Sequence, residues 1–175
     1  LKGWGANIYY QLANGTITNT TAPVDIITDV KYYSTGYIMG VIKNDNSLWA
    51  WGKSSWYNLS TVPVQKDTDV KFLDAGLTHL AYVKNDGTAW VIGRDGVYQT
   101  APTGSTPHQA VGISNCVRVA AGAWYLNGTF TAFLLNDGTV QYIGGGTKSV
   151  ATQSTPTEIT GLTNVVDIKA NANAL

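Results

Sequence analysis

Charge is scarce in this sequence. Its 175 residues hold 11 basic and 11 acidic side chains, so the formal net charge is zero and charged residues make up 13% of the chain, against the ~25% usual for a soluble domain. A protein that grips nucleic acid through phosphates carries a basic excess; this chain has none, so nucleic acid is not an expected partner. Cys116 is the single cysteine, which excludes an internal disulfide. No apolar run approaches the ~20 residues of a membrane span, so membrane insertion is not expected either. Helical periodicity is missing throughout, and no signal peptide is visible. His79 and His108 are the only histidines. Neither sits in a Cys or carboxylate cluster of the kind a zinc site needs, so no metal and no cofactor is expected.

What the chain does have is a repeat. Gly5, Gly52, Gly93 and Gly144 mark one recurring position, spaced by 47, 41 and 51 residues. A short strand precedes each: Leu1–Trp4, Leu48–Trp51, Ala89–Ile92 and Val140–Ile143. Trp4, Trp51, Ile92 and Ile143 share a column, and both faces of these strands are largely apolar, as expected where sheets stack face to face. After the first three glycines comes a polar connector ending in aromatics and an amide: Tyr9-Tyr10-Gln11, Trp56-Tyr57-Asn58 and Val97-Tyr98-Gln99. A Thr/Ser/Pro-rich linker follows, with Pro23, Pro63, Pro107 and Pro156 marking edges or loops, since proline has no ladder donor.

A second strand type aligns without gaps, at Asp29–Tyr33, Asp69–Leu73, Asn115–Val119 and Asn164–Ile168. Each ends in a small residue and a turn former: Thr35-Gly36, Ala75-Gly76, Ala121-Gly122 and Ala170-Asn171. Exchange of Gly for Asn in the last pair points to a positive φ there. A third strand type, Ile38–Lys43, His79–Lys84 and Phe130–Leu135, runs into the turns Asn44-Asp45-Asn46, Asn85-Asp86-Gly87 and Asn136-Asp137-Gly138. Asp-Gly between strands signals a hairpin of type I′. Extra residues at Trp124–Thr129, including Asn127-Gly128, predict a longer loop in the third copy. Three strands per unit, a connector that supplies a fourth, and a period of 40–50 residues describe propeller blades. The chain holds about three and a half.

The pattern resembles the RCC1-like repeat (regulator of chromosome condensation), a β-propeller family. The resemblance rests on Trp4-Gly5 with Asn7, Gln11 and Leu12, on Trp51-Gly52 with Leu59, on Gly76-Leu77-Thr78-His79 and on Asp86-Gly87. It runs over the whole chain. Where the family has Gly before the connector's Gln, this chain has Tyr10, Tyr57 and Tyr98. The resemblance implies an all-β propeller that closes with seven blades. Residues 1–175 are therefore expected to be a single propeller segment within a longer chain, the further blades coming from that chain or from another copy.

The chemistry-bearing candidates are few. His79 stands at the family's structural histidine, Cys116 in a column of valines, and Asp45, Asp86 and Asp137 in turns that explain them. Gly144-Gly145-Gly146 lacks the Lys-Ser/Thr of a phosphate loop. No catalytic residue and no enzyme activity are expected. Asn14, Asn19, Asn58 and Asn127 each open an Asn-x-Ser/Thr triplet. Tyr10, Gln11, Trp56, Tyr57, Asn58, Tyr98 and Gln99 are the candidate binding residues, expected on one rim. Flat rings beside amides suit a protein or a glycan; rings sealed between adjacent blades are the other reading. The expectation is a non-catalytic binding or scaffold module, extracellular or exposed on a virion or bacterial envelope, serving receptor binding, adhesion or a structural fibre. The family resemblance implies the alternative, a regulator acting on a small GTPase or chromatin.

Overall fold

The computed structural model describes residues 1–53, 58–93, 105–124, 128–145 and 153–170. These residues form strands and turns with no helix among them. In chain order the strands are β1 (Lys2–Gly5), β2 (Thr20–Asp25), β3 (Val30–Thr35), β4 (Ile38–Lys43), β5 (Leu48–Lys53), β6 (Asn58–Asp67), β7 (Val70–Ala75), β8 (His79–Lys84), β9 (Ala89–Gly93), β10 (His108–Gln109), β11 (Cys116–Trp124), β12 (Gly128–Leu135), β13 (Val140–Gly144) and β14 (Gln153–Glu158). They make a two-stranded sheet, β1-β2, followed by three four-stranded antiparallel meanders, β3–β6, β7–β10 and β11–β14. Each meander is one blade, and β1-β2 is half of one. The first-copy linker becomes β2, and the outermost strands β2, β6 and β14 contain Pro23, Pro63 and Pro156. Proline blunts edges that could otherwise pair with another chain.

The blades are near copies because the same backbone devices recur. Asp29, Asp69, Asn115 and Asn164 all adopt a left-handed φ of 54–63° just before the first strand. Asp and Asn tolerate that region better than other side chains. Val70 N–H then donates to the carbonyl of Asn46 in the preceding hairpin, and Cys116 and Val165 do the same to Gly87 and Gly138. A bulge follows at the same place in three blades, between Val30 and Tyr32, Val70 and Phe72, and Cys116 and Arg118. Residues 164–170 repeat the left-handed start and the hairpin bond, but have no sheet partner among the described residues.

The core lies between blades. Met39, Val41 and Trp51 pack on Ala13, Leu1, Ile26 and Ile27. Ile38, Ile42 and Leu48 pack with Val70, Leu73 and Leu80. Phe72, Ala81 and Val91 pack with Cys116, Val119 and Ala121. Each buried Leu, Ile or Val contributes ~1.5–3 kcal/mol. One column shows how far this depends on a complete neighbour: Leu73, Val119 and Ile168 are 0%, 1% and 7% exposed, while Tyr33, facing the half blade, is 54% exposed. Trp4 of β1 is 65% exposed for the same reason, although its column partner Trp51 is fully buried. Asp74 ties three blades together, since Ser34 Oγ donates to Oδ1 at 3.0 Å and Ala121 N–H donates to Oδ2 at 2.9 Å.

Three sequence expectations need correction. The hairpins are three-residue loops. Asn46, Gly87 and Gly138 bond back three residues to Lys43, Lys84 and Leu135 and alone carry positive φ, whereas a type I′ turn needs two such residues. Gly36, Gly76 and Gly122 are not left-handed; they are small because the chain is crowded there. A Cβ on Gly36 would lie 2.0 Å from the Gly76 carbonyl oxygen, and one on Gly122 would lie 2.2 Å from the Phe130 ring. Asn171, in the fourth such pair, lies outside the described residues. The extra residues of the third copy lengthen a hairpin rather than a loop, with Trp124 paired to Gly128.

Candidate functional site

Antiparallel meanders place their turns alternately at two rims. The hairpins 43–48, 84–89 and 135–140 share one rim with the entries to β3, β7 and β11. The turns 35–38 and 75–79 share the other with the connectors. The hairpin rim is self-satisfied. Asp45 Oδ1 accepts from Ser47 N–H at 2.9 Å and from its hydroxyl at 2.6 Å. Asp86 and Asp137 repeat this with Thr88 and Thr139. Side-chain and then backbone donation by those partners hold all three carboxyls below their ordinary value. Trp49 and Trp90 indoles donate onward to Ser47 and Thr88, with Lys43 and Lys84 over the rings at 4.8 and 5.7 Å. Beside them, burial pushes the Asp67 carboxyl up, but bonds from Lys84 Nζ at 2.8 Å and the Tyr82 hydroxyl at 2.7 Å outweigh it and leave the group lowered.

The connector rim is built differently. The first connector, 6–19, is wound around Asn7, which is fully buried. Its Oδ1 accepts from Leu12 N–H at 2.8 Å, and its Nδ2 donates to Thr16 O at 2.8 Å and Asn14 Oδ1 at 3.1 Å. Its own N–H donates to Asn19 Oδ1 at 2.9 Å. The loop then lies across the next blade: Lys53 N–H donates to Tyr9 O, Trp51 Nε1 to Gln11 O and Gly15 N–H to Thr61 O. Tyr9 stacks on Tyr37 of the β3–β4 turn, with centroids 4.3 Å apart.

Of the sequence-predicted binding residues, Tyr10, Gln11 and Asn58 are described, and Trp56, Tyr57, Tyr98 and Gln99 lie outside the described residues. The three that are described share the connector rim. Lys53, which holds Tyr9, is the ladder partner of Asn58. Asn58 is exposed, and Tyr10 and Gln11 are half-buried. Gln11 Oε1 accepts from Tyr9 N–H at 2.9 Å, leaving its NH2 group as a donor. Tyr10 stands apart, with φ 60°. Every other left-handed residue among the described residues outside this connector is Asp, Asn or Gly. A bulky side chain there costs ~1–2 kcal/mol. Sequence reasoning caught the Tyr-for-Gly departure but missed the Tyr9–Tyr37 stack, because Tyr37 belongs to another blade and no spacing announces it.

The remaining candidates are structural. His79 is fully buried, its Nε2 3.1 Å from Thr131 Oγ1 of the next blade. Cys116 is fully buried, and burial pushes its thiol up to about 12, so it is no nucleophile near neutral pH. Among the described residues no group of three His, Cys, Asp or Glu side chains could hold a metal ion. Gly144 and Gly145 are left-handed, and Gly145 N–H donates to Thr129 O, making a backbone turn.

No protein-family model and no curated protein matches the chain. Solved structures do. Human WBSCR16 is 21% identical with a TM-score of 0.75, over 98% of this chain and 50% of that one. Prp20p from Saccharomyces cerevisiae is 18% identical with a TM-score of 0.68, over 91% and 46%. Yeast RCC1 (Prp20) in its complex with Kap60 is 16% identical with a TM-score of 0.66, over 92% and 45%. The chain has the RCC1-like propeller fold and spans about half the length of these chains.

Proposed function

We propose that this chain is a non-catalytic binding module that presents its connector rim to a protein or glycan partner. The carrying observation is Tyr10. The position has the backbone of a glycine, and a strained backbone that persists is a common mark of a functional site. The sparsely charged, Thr- and Asn-rich composition supports an extracellular or particle-exposed setting. A second reading is regulation of a small GTPase or chromatin. It draws on the fold shared with Prp20p, described as binding Gsp1p and histones, and a nucleotide-exchange assay tests it directly.

The rim itself is tested by surface plasmon resonance against protein and glycan panels, with wild type beside Tyr10→Gly and Asp86→Asn. The expected partner is kept by Asp86→Asn and lost by Tyr10→Gly. The reverse would move the site to the hairpin rim.

A further inference from the structure

We infer that the connector rim takes a neutral glycan chain, an inference that rests on the binding-module reading above. Several carboxylates of the blades, and Cys116, are already committed. Asp45, Asp86 and Asp137 fasten their own hairpins, Asp67 holds Lys84 and Tyr82, Asp74 bridges three blades and Cys116 is sealed in the core. At the connector rim the Gln11 NH2 group and the exposed Asn58 amide are not used up in this way.

Its chemistry is one-sided. No charged residue occurs between Lys2 and Asp25, so the whole first connector is neutral. The connector offers phenol rings and primary amides beside Thr hydroxyls and the exposed Ile8 and Ile17, and Lys53, exposed next to Asn58, is a cation at its edge. A sugar ring has an apolar face of C–H bonds and a rim of hydroxyls. The face packs on a flat aromatic ring, and an amide NH2 or carbonyl pairs with a hydroxyl without the cost of burying a charge. Tyr9 is already stacked on Tyr37 at 4.3 Å and fixes the loop. Tyr10 follows it on a left-handed backbone that Gly would occupy without strain. The Gln11 NH2 group and the exposed Asn58 amide share that rim. Asn7, at the centre of the loop, pre-orders these groups, so a ligand meets them without ordering the backbone.

The display recurs in the sequence as Tyr10-Gln11, Tyr57-Asn58 and Tyr98-Gln99, one pair per blade. A polysaccharide is itself repetitive, which suits a sequence in which such a pair recurs.

Affinity gel electrophoresis tests this with soluble neutral polysaccharides (a β-glucan, a mannan and a xylan) and two anionic ones (alginate and polygalacturonate). Wild type should be retarded by at least one neutral polysaccharide, and Tyr10→Gly should bind it at least tenfold more weakly. Tyr10→Ala, which loses the ring but keeps a Cβ on the left-handed backbone, should be equally weak. No retardation by any neutral polysaccharide overturns the glycan assignment and leaves the rim to a protein partner. Retardation by the anionic gels alone overturns neutrality. Equal retardation of wild type and Tyr10→Gly puts the ligand elsewhere and overturns the rim reading with it.

Discussion

At the hairpin rim, Asp45, Asp86 and Asp137 make the same pair of bonds to a Ser or Thr two residues on. At the connector rim, the first connector is held by a buried asparagine, an aromatic stack with another blade and a tyrosine in a glycine's conformation. Both rims close antiparallel strands, and both use left-handed residues. They differ in which residues take that conformation. Around the hairpins it falls to Asp, Asn and Gly, at little cost; in the connector it falls to Tyr10 and Ala13 as well as Gly15. A rim that satisfies itself with permissive residues serves the fold. A rim that bears strain to keep a ring is where the proposed binding role is argued to lie.

The comparison can be sharpened first at the glycines. Gly52, at the connector end of β5, has φ 108°, and a Cβ there would lie 2.4 Å from the Tyr37 carbonyl oxygen. Gly52→Ala should cost about 3 kcal/mol, read as a lower midpoint in urea with unchanged slope. Of the changes compared, it is the largest effect expected. The smallest is electrostatic. The hairpin carboxyls are lowered from an ordinary 3.8, so their stabilisation is complete above that value and is lost as pH falls through the lower folded values. Stability of wild type should therefore decline below pH 3.8, and Asp86→Asn should make that decline shallower because it starts from a slightly lower stability at pH 7. A steeper acid limb in Asp86→Asn would show that the hairpin bonds are not what holds that carboxyl low.

Much of the fold was legible because the repeat was legible. Ile38–Lys43 and His79–Lys84 were bounded to the residue by the Asp-turn that follows them. The column Asp29, Asp69, Asn115, Asn164 was visible as an alignment, yet its reason, a shared left-handed φ, needed the backbone. Gly36, Gly76 and Gly122 were marked as turn formers because turn chemistry is local. For Gly36 and Gly76 the crowding comes from the next blade about 40 residues on, as with the Gly76 carbonyl against Gly36, while Gly122 is crowded by Phe130 of its own blade. Non-local crowding leaves no mark on local sequence. The site was legible in the same partial way. Tyr10 stood out as a departure from glycine, but only φ turns that departure into a cost. Tyr37, its neighbour's stacking partner, comes from a turn in the next blade and carried no signal of its own.

Urea denaturation of Tyr10→Gly beside Asn46→Gly compares the two rims most directly, because both place glycine at a left-handed residue with φ near 60°. Asn46 tolerates that conformation, so its replacement should change stability by a few tenths of a kcal/mol. Tyr10→Gly should raise stability by about 1 kcal/mol, the strain released less the chain entropy that glycine adds. A loss of stability at Tyr10 would show that its ring is a structural seal between blades, and would contradict the division of labour between the rims.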